Sequence, residues 1–277
     1  MPWANLHTHT FRCQHASGDA IDYARVAAAA GMTTLGMADH SPLPDGRWQD
    51  HRMRLDQLDD YVAAVEFARR EVPQLRILLG MECDWDPDFA SFYRDELLGR
   101  RGFDYLLVGC HLTPFAEGEH IVPGARLGRW FDSFNRCTTP ARLRAYAAHA
   151  EATMASGLFI AMTHPDLFGV CQPRWTADTA ACARDICQAA IAHGVALELN
   201  GYGIRKPWVV GEKGEQNERP GYPWEPFWEV AAECGVPVVL ASDAHRPQDV
   251  AAGYDQLTAM RDRLGLCEAE LPILAPR

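Results

Sequence analysis

Short apolar runs recur along the chain, each followed by a polar turn and a longer stretch in which apolar residues repeat every three to four positions. That alternation predicts repeated βα units. Strands are expected near Trp3 to Leu6, Thr34 to Ala38, Arg76 to Met81, Tyr105 to Gly109, Leu158 to Met162, Val195 to Leu199 and Val236 to Ala241. Helices are expected between them. Asp19 to Ala30 is closed by Gly31, Leu55 to Arg70 stops before Pro73, and "ADTAACARDICQAAIAHG" runs from Ala177 to His193 and stops at Gly194. Strands that alternate with helices form a parallel sheet, and seven such units favour closure into a barrel over an open sheet. Three stretches break the pattern, Ser41 to Met53, Leu112 to Trp130 and Gly201 to Pro223. Each follows a strand, where barrel enzymes carry their substrate loops.

Composition adds limits to this picture. The 277 residues include no low-complexity linker, so one domain over 1–277 is expected. A formal charge of −11 argues against a partner held by phosphate neutralisation, so nucleic acid is not expected, whereas a small anion in a locally cationic site is compatible with it. There is neither a signal-peptide pattern at the start nor an apolar run long enough to span a bilayer, so a cytoplasmic protein without a membrane partner is expected. Nine cysteines without any CxxC pair suggest free thiols, several of them in apolar runs such as "LLVGCH". Oligomeric state leaves no mark in the sequence.

The residues at the strand ends are more specific. His7 and His9 follow the first strand, Asp39 and His40 the second, and Glu82 the third. His111, His164, Asn200, and the pair Asp243 and His245 follow the other four. In a parallel barrel all of these share one rim. Imidazole and carboxylate together suit zinc, manganese or iron, whereas calcium and magnesium sites are built from oxygen. The spacing of His7 and His9 puts both rings on one face of an extended strand, and Asp243 and His245 repeat it. Asp39 is expected either to cap a helix or to hold a ligating histidine from behind, and Asn200 to support the same rim. His51, His120, His149 and His193 are read as ordinary solvated or capping residues.

"HTHT" at 7 to 10, "ADHSP" at 38 to 42, "GMECDW" at 80 to 85, "VGCH" at 108 to 111, "THPDL" at 163 to 167 and "SDAH" at 242 to 245 span almost the whole chain. In this order they resemble the PHP (polymerase and histidinol phosphatase) family of metal-dependent phosphoesterases. Within that family, "LELNGYGIRKP" at 197 to 207, with "YP" at 222 and 223, is similar to the histidinol-phosphate phosphatase branch. Two segments depart from the branch, "GCHLTPFAEGEH" and the insertion "WVVGEKGEQNERPG", both in stretches where substrate would be selected.

The resemblance implies a distorted (βα)7 TIM-like barrel and a trinuclear centre of zinc, manganese or iron ions. One ion would take His7, His9, Glu82 and Asp243. A second would share Glu82 and take His111 and His164, and a third would take His15, His40 and His245. A hydroxide shared between ions would be the nucleophile, because two cations make water far more acidic than in bulk. Phosphate also needs cationic donors, for which Arg205, Lys206 and Arg12 are candidates. Asp243 or His245 would protonate the leaving alkoxide. Tyr202 and Trp208, beside the sixth strand, are candidates to contact a flat leaving group, and Cys13 is expected to be a bystander.

The expected reaction is therefore hydrolysis of L-histidinol phosphate. The alternatives are another small phosphate ester, a nucleotide or a phosphodiester. An amidohydrolase also opens with H-x-H, but commonly bridges its metals with a carbamylated lysine where this chain has Glu82, and has no use for His15, His40 and His245. A non-catalytic metal-binding module is disfavoured because no expected ligand is missing.

Overall fold

The computed structural model describes residues 3–116, 128–206 and 219–275. Among them are nine strands: β1 (Ala4–Asn5), β2 (Thr34–His40), β3 (Arg76–Cys83), β4 (Tyr105–Val108), β5 (Leu112–Pro114), β6 (Trp130–Asp132), β7 (Ala161–Met162), β8 (Ala196–Asn200) and β9 (Val238–Ala241). Seven form one sheet in the order β1-β2-β3-β4-β7-β8-β9, and a parallel bridge between Thr8 and Ala244 returns the last to the first. This is the strand order of a distorted (βα)7 TIM-like barrel. All seven strands expected from the apolar runs are present, the first and fifth shortened to two residues each.

The helices are α1 (Ala20–Ala29), α2 (Leu58–Glu71), α3 (Ser133–Arg136), α4 (Pro140–Ala155), α5 (Ala177–His193), α6 (Glu225–Cys234) and α7 (Tyr254–Leu264). α1 starts on a capping box in which Asp19 and Asp22 bond each other's backbone amides, and α5 ends on Gly194 at φ 66°, a left-handed cap that glycine adopts without a Cβ penalty. No described helix is long and apolar enough to cross a membrane. The stretch from Leu112 to Trp130, read from sequence as irregular, begins and ends in the antiparallel pair β5 and β6.

Contacts divide the chain into two compact units. One comprises Met1–Leu107, Leu240–Tyr254 and Glu270–Arg277, the other Val108–Val239 and Asp255–Ala269. In the first, β1, β2 and β3 pair in parallel, and β2 and β3 are buried almost throughout. Tyr105 fills the space over this part of the sheet. Its hydroxyl donates to the Leu6 carbonyl at 2.6 Å, and its ring lies over Gly36 of β2 and Gly80 of β3. A Cβ at Gly80 would stand 2.2 Å from the Tyr105 ring, so the sheet needs glycine there for room. Gly80→Ala should therefore overpack the core, at a cost of about 1–3 kcal/mol. Denaturant unfolding of the variant checks this, and an unchanged midpoint would refute it.

In the second unit, β7 pairs with β8, and Thr163 beyond β7 donates from both its amide and its hydroxyl to the Val108 carbonyl of β4. Asp166, two residues after His164, is fully buried and accepts from the Trp224 amide at 2.5 Å and the Trp228 indole at 3.1 Å. Burial pushes its carboxyl up to about 6, even though both donors favour the charged form. Asp166 thereby ties the segment after β7 to α6.

Candidate metal centre

In the first unit the chain runs out of β1 into His7, Thr8 and His9, and out of β9 into Ser242, Asp243 and Ala244. The two segments are stitched together by His9 N to Ala244 O at 2.9 Å and by Asn5, whose amide donates to Ser242 Oγ at 2.7 Å. Asn5 Oδ1 also accepts from the His7 and Ser242 amides. A buried asparagine thus fixes both ligand-bearing segments in one register. Asp243 adopts φ 49°, and in the second unit His164 adopts φ 29°. Such left-handed conformations cost a non-glycine residue on the order of 1–3 kcal/mol and concentrate at functional sites.

The donor atoms converge. His9 Nε2 lies 3.0 Å from His7 Nε2 and 3.0 Å from Asp243 Oδ1, while His7 Nε2 lies 3.7 Å from Asp243 Oδ1. Glu82 Oε2 stands 3.3 Å from His7 Nε2 and 3.8 Å from His9 Nε2. A tetrahedral ion with bonds of about 2.0–2.1 Å spaces its ligands about 3.3–3.4 Å apart, so these separations fit the edges of one coordination shell. His7, His9, Glu82 and Asp243 are all buried.

A second cluster adjoins the first. His40 Nδ1 is 2.8 Å from Glu82 Oε2, which places that carboxylate oxygen between His40 and the His7/His9 pair. His245 Nε2 is 3.1 Å from His15 Nε2, and the His15 ring centroid lies 5.2 Å from that of His40 and 4.8 Å from that of His245. The ring of His245 stacks on His9 at 4.1 Å. Cys13 lies within reach of His15 and His245, but burial raises its thiol above the usual range, and it donates to the Thr10 carbonyl at 3.3 Å. It is held as a thiol rather than a thiolate.

Electrostatics match the donor chemistry. Burial opposes charge on Asp243, yet His7, His9 and His245 outweigh it and hold the carboxyl well below the ordinary range. Burial, reinforced by the charge of His9, drives His40 and His245 well below the ordinary imidazole range, although Glu82 and Asp243 pull the other way. Deprotonated carboxylate and neutral imidazole are the states in which these groups bind metal. His9 differs, because Asp243 and Asp39 overcome its burial and raise it, so a cation would have to displace a proton there. The donor set fits divalent transition-metal ions.

In the second unit, the rings of His111 and His164 stand 4.8 Å apart. Glu198, which sequence reasoning missed, is buried in β8 and accepts from the His164 amide at 3.0 Å and from Asn200 Nδ2 at 2.7 Å. Asn200 Oδ1 in turn accepts from the Tyr202 amide at 2.8 Å. The signal for Glu198 was a single carboxylate in the apolar run "VALELN". Arg205 and Lys206 gather over Tyr202, with Lys206 Nζ 3.8 Å and Arg205 Cζ 5.4 Å from its ring centroid. Trp208 lies outside the described residues.

Arg12, a candidate to bind substrate phosphate, has its guanidinium buried against Asp19 and Asp60, with Nη1 to Asp19 at 2.6 Å and Nη2 to Asp60 at 2.6 Å. Two carboxylates already neutralise it. His51, read as an ordinary solvated residue, places its ring 6.0 Å from that of His15, with Trp48 behind it at 5.7 Å.

Comparison with known proteins agrees with this geometry. Residues 5–201 match the PHP domain family, and the chain belongs to that family. It is 33% identical over 270 residues to a probable histidinol-phosphatase of Deinococcus radiodurans, a match that covers 92% of each chain. Two solved structures share the fold. A putative histidinol phosphatase from Listeria monocytogenes superposes with a TM-score of 0.70 at 20% identity, covering 91% of this chain and 99% of that one. A histidinol phosphate phosphatase from Lactococcus lactis, complexed with zinc, L-histidinol and phosphate, gives 0.68 at 15% identity, covering 96% and 95%.

Proposed function

We propose that this protein is a metal-dependent phosphatase that hydrolyses L-histidinol phosphate to L-histidinol and phosphate, acting in the cytoplasm as one domain over residues 1–277. The observation that carries this reading is the convergence of His7, His9, Glu82 and Asp243 in a chain one-third identical to a probable histidinol-phosphatase over nearly its full length. His7, His9, Glu82 and Asp243 would hold one ion, Glu82, His111 and His164 a second, and His15, His40 and His245 a third, with zinc, manganese or iron as the candidates. Bound there, the ions would supply Lewis acidity toward phosphoryl oxygens and lower the pKa of water to near neutrality.

The chain's own residues do the rest. Arg205 and Lys206 would bind the phosphoryl oxygens as they take on charge, and a forked guanidinium suits that geometry. Tyr202 backs both cations, and it would offer the imidazole of the leaving group an aromatic contact. Asp243 or His245 would return a proton to the departing alkoxide, which needs a group within hydrogen-bond reach. Glu198 and Asn200 hold His164 and the start of the Tyr202 loop in place.

A second reading, another small phosphate monoester, is favoured by the insertion after Lys206, which falls in the stretch expected to select substrate. A panel of phosphate esters decides between them. L-Histidinol phosphate should give the highest kcat/KM, and turnover should vanish on chelation and return with zinc or manganese. Faster turnover of a nucleotide or sugar phosphate would replace the first reading with the second.

A further inference from the structure

We propose that Arg12 and Thr10 are positioning residues for the His9 imidazole, acting through Asp39. The inference rests on the metal-centre reading above and adds to it a fixed chain of donors and acceptors behind the ligand.

All five N–H groups of the Arg12 guanidinium are engaged. Nε donates to Asp60 Oδ2 at 2.9 Å, and Nη2 donates to Asp60 Oδ2 at 2.6 Å and Asp19 Oδ2 at 3.2 Å. Nη1 donates to Asp19 Oδ1 at 2.6 Å and, with its other proton, to Thr10 Oγ1 at 3.3 Å. The Arg12 amide also donates to Thr10 Oγ1, at 3.3 Å. A hydroxyl has a single proton to give. With its acceptor side taken by Arg12, Thr10 directs that proton to Asp39 Oδ2, the oxygen that its own amide also binds at 3.1 Å. The other oxygen, Oδ1, accepts from the His40 amide at 2.8 Å and faces His9 Nδ1 at 3.5 Å.

Asp39 is thus oriented by donors on both oxygens and presents one of them to the ring nitrogen of His9 that points away from His7 and Asp243. A carboxylate facing Nδ1 at this distance favours a proton on that side of the ring, which turns the Nε2 lone pair toward a cation. The anchors of the chain are Asp19 at the start of α1 and Asp60 in the first turn of α2, so two helices hold the angle of one ligand. Lysine could not replace Arg12, because a single ammonium cannot span three acceptors in a fixed fork.

Zinc affinity, measured by competition with a chromophoric chelator, tests the proposal with a readout separate from turnover. Thr10→Val leaves the Arg12 ion pairs with Asp19 and Asp60 in place and removes the Thr10 hydroxyl with its bonds to Arg12 and Asp39. It should weaken by about 10–100-fold the zinc equivalent that His7→Ala removes, the usual range for a group that orients a ligand. Arg12→Met should weaken the same equivalent, the double variant should be no weaker than the weaker single, and Thr10→Ser should restore wild-type binding to within about threefold. Unchanged affinity in Thr10→Val, or losses that multiply in the double variant, would overturn the proposal while leaving the metal centre standing. A wild-type protein that binds no zinc, manganese or iron would overturn both.

Discussion

Replacing His7 by alanine should lower phosphate release by about a thousandfold, because several kcal/mol of transition-state charge stabilisation depend on the ion it would hold and each 1.36 kcal/mol is a factor of ten. His7 Nε2 lies within 3.7 Å of His9, Glu82 and Asp243 donor atoms, and the ring is fully buried, so alanine would take a donor out of the middle of the cluster. His15→Ala should also impair turnover, but with a different loss of metal. Its Nε2 faces His245 rather than the His7 group. Metal analysis of the two purified variants separates them. His7→Ala should lose the ion shared with Asp243, and His15→Ala the ion shared with His40 and His245. Identical metal content in both variants would contradict the division of this histidine-rich segment between two ions.

The contrast between His7 and Arg12 shows how far the sequence carries. His7 and His9 were legible because strand periodicity is local. Two residues of spacing place both rings on one face wherever the strand lies, and the order of strands in a parallel barrel brings Glu82 and Asp243 to the same rim. The function of Arg12 depends on Asp60, 48 residues away on a helix surface, and nothing in either neighbourhood announces that pairing. Sequence proximity to the ligands suggested phosphate, and the partners that neutralise the guanidinium became visible only in three dimensions.

Glu198 and the β5–β6 pair were hidden for other reasons. In a parallel strand buried on both faces, alternation of polar and apolar residues disappears, so one carboxylate in "VALELN" resembles an interruption rather than a partner for His164. β5 and β6 have three residues each, too few for a periodic signal, and they pair across a long connection. The long strands and α5 had neither handicap, and α5 begins at Ala177 and ends at His193 as its apolar spacing and Gly194 predict.

Removing the Arg52 side chain should destabilise the fold by about 3–5 kcal/mol, the cost of leaving one member of a buried ion pair without the other. Arg52 is 2% exposed and Asp84 3%, and Arg52 Nη2 donates to the Asp84 carboxylate. Arg52 Nη1 donates to the Ser41 carbonyl at 3.3 Å, the Ser41 amide donates to the Glu82 carbonyl at 2.8 Å, and the guanidinium stacks over Trp48 at 5.0 Å. One cation thus ties the loop after β2 to the end of β3, next to His40 and Glu82. Arg52→Met retains most of the apolar stem and removes the guanidinium, so the buried Asp84 carboxylate loses its ion pair with Arg52. Adding Asp84→Asn removes that charge as well, so the double variant should recover at least half of the loss, a coupling that independent sites would not show. Unfolding must be followed in chelator, because bound metal stabilises the folded state by mass action and would blur the comparison. A loss below about 1 kcal/mol in Arg52→Met, the range of exposed pairs, would mean that solvent screens the pair and that Trp48 and the backbone hold the loop without it.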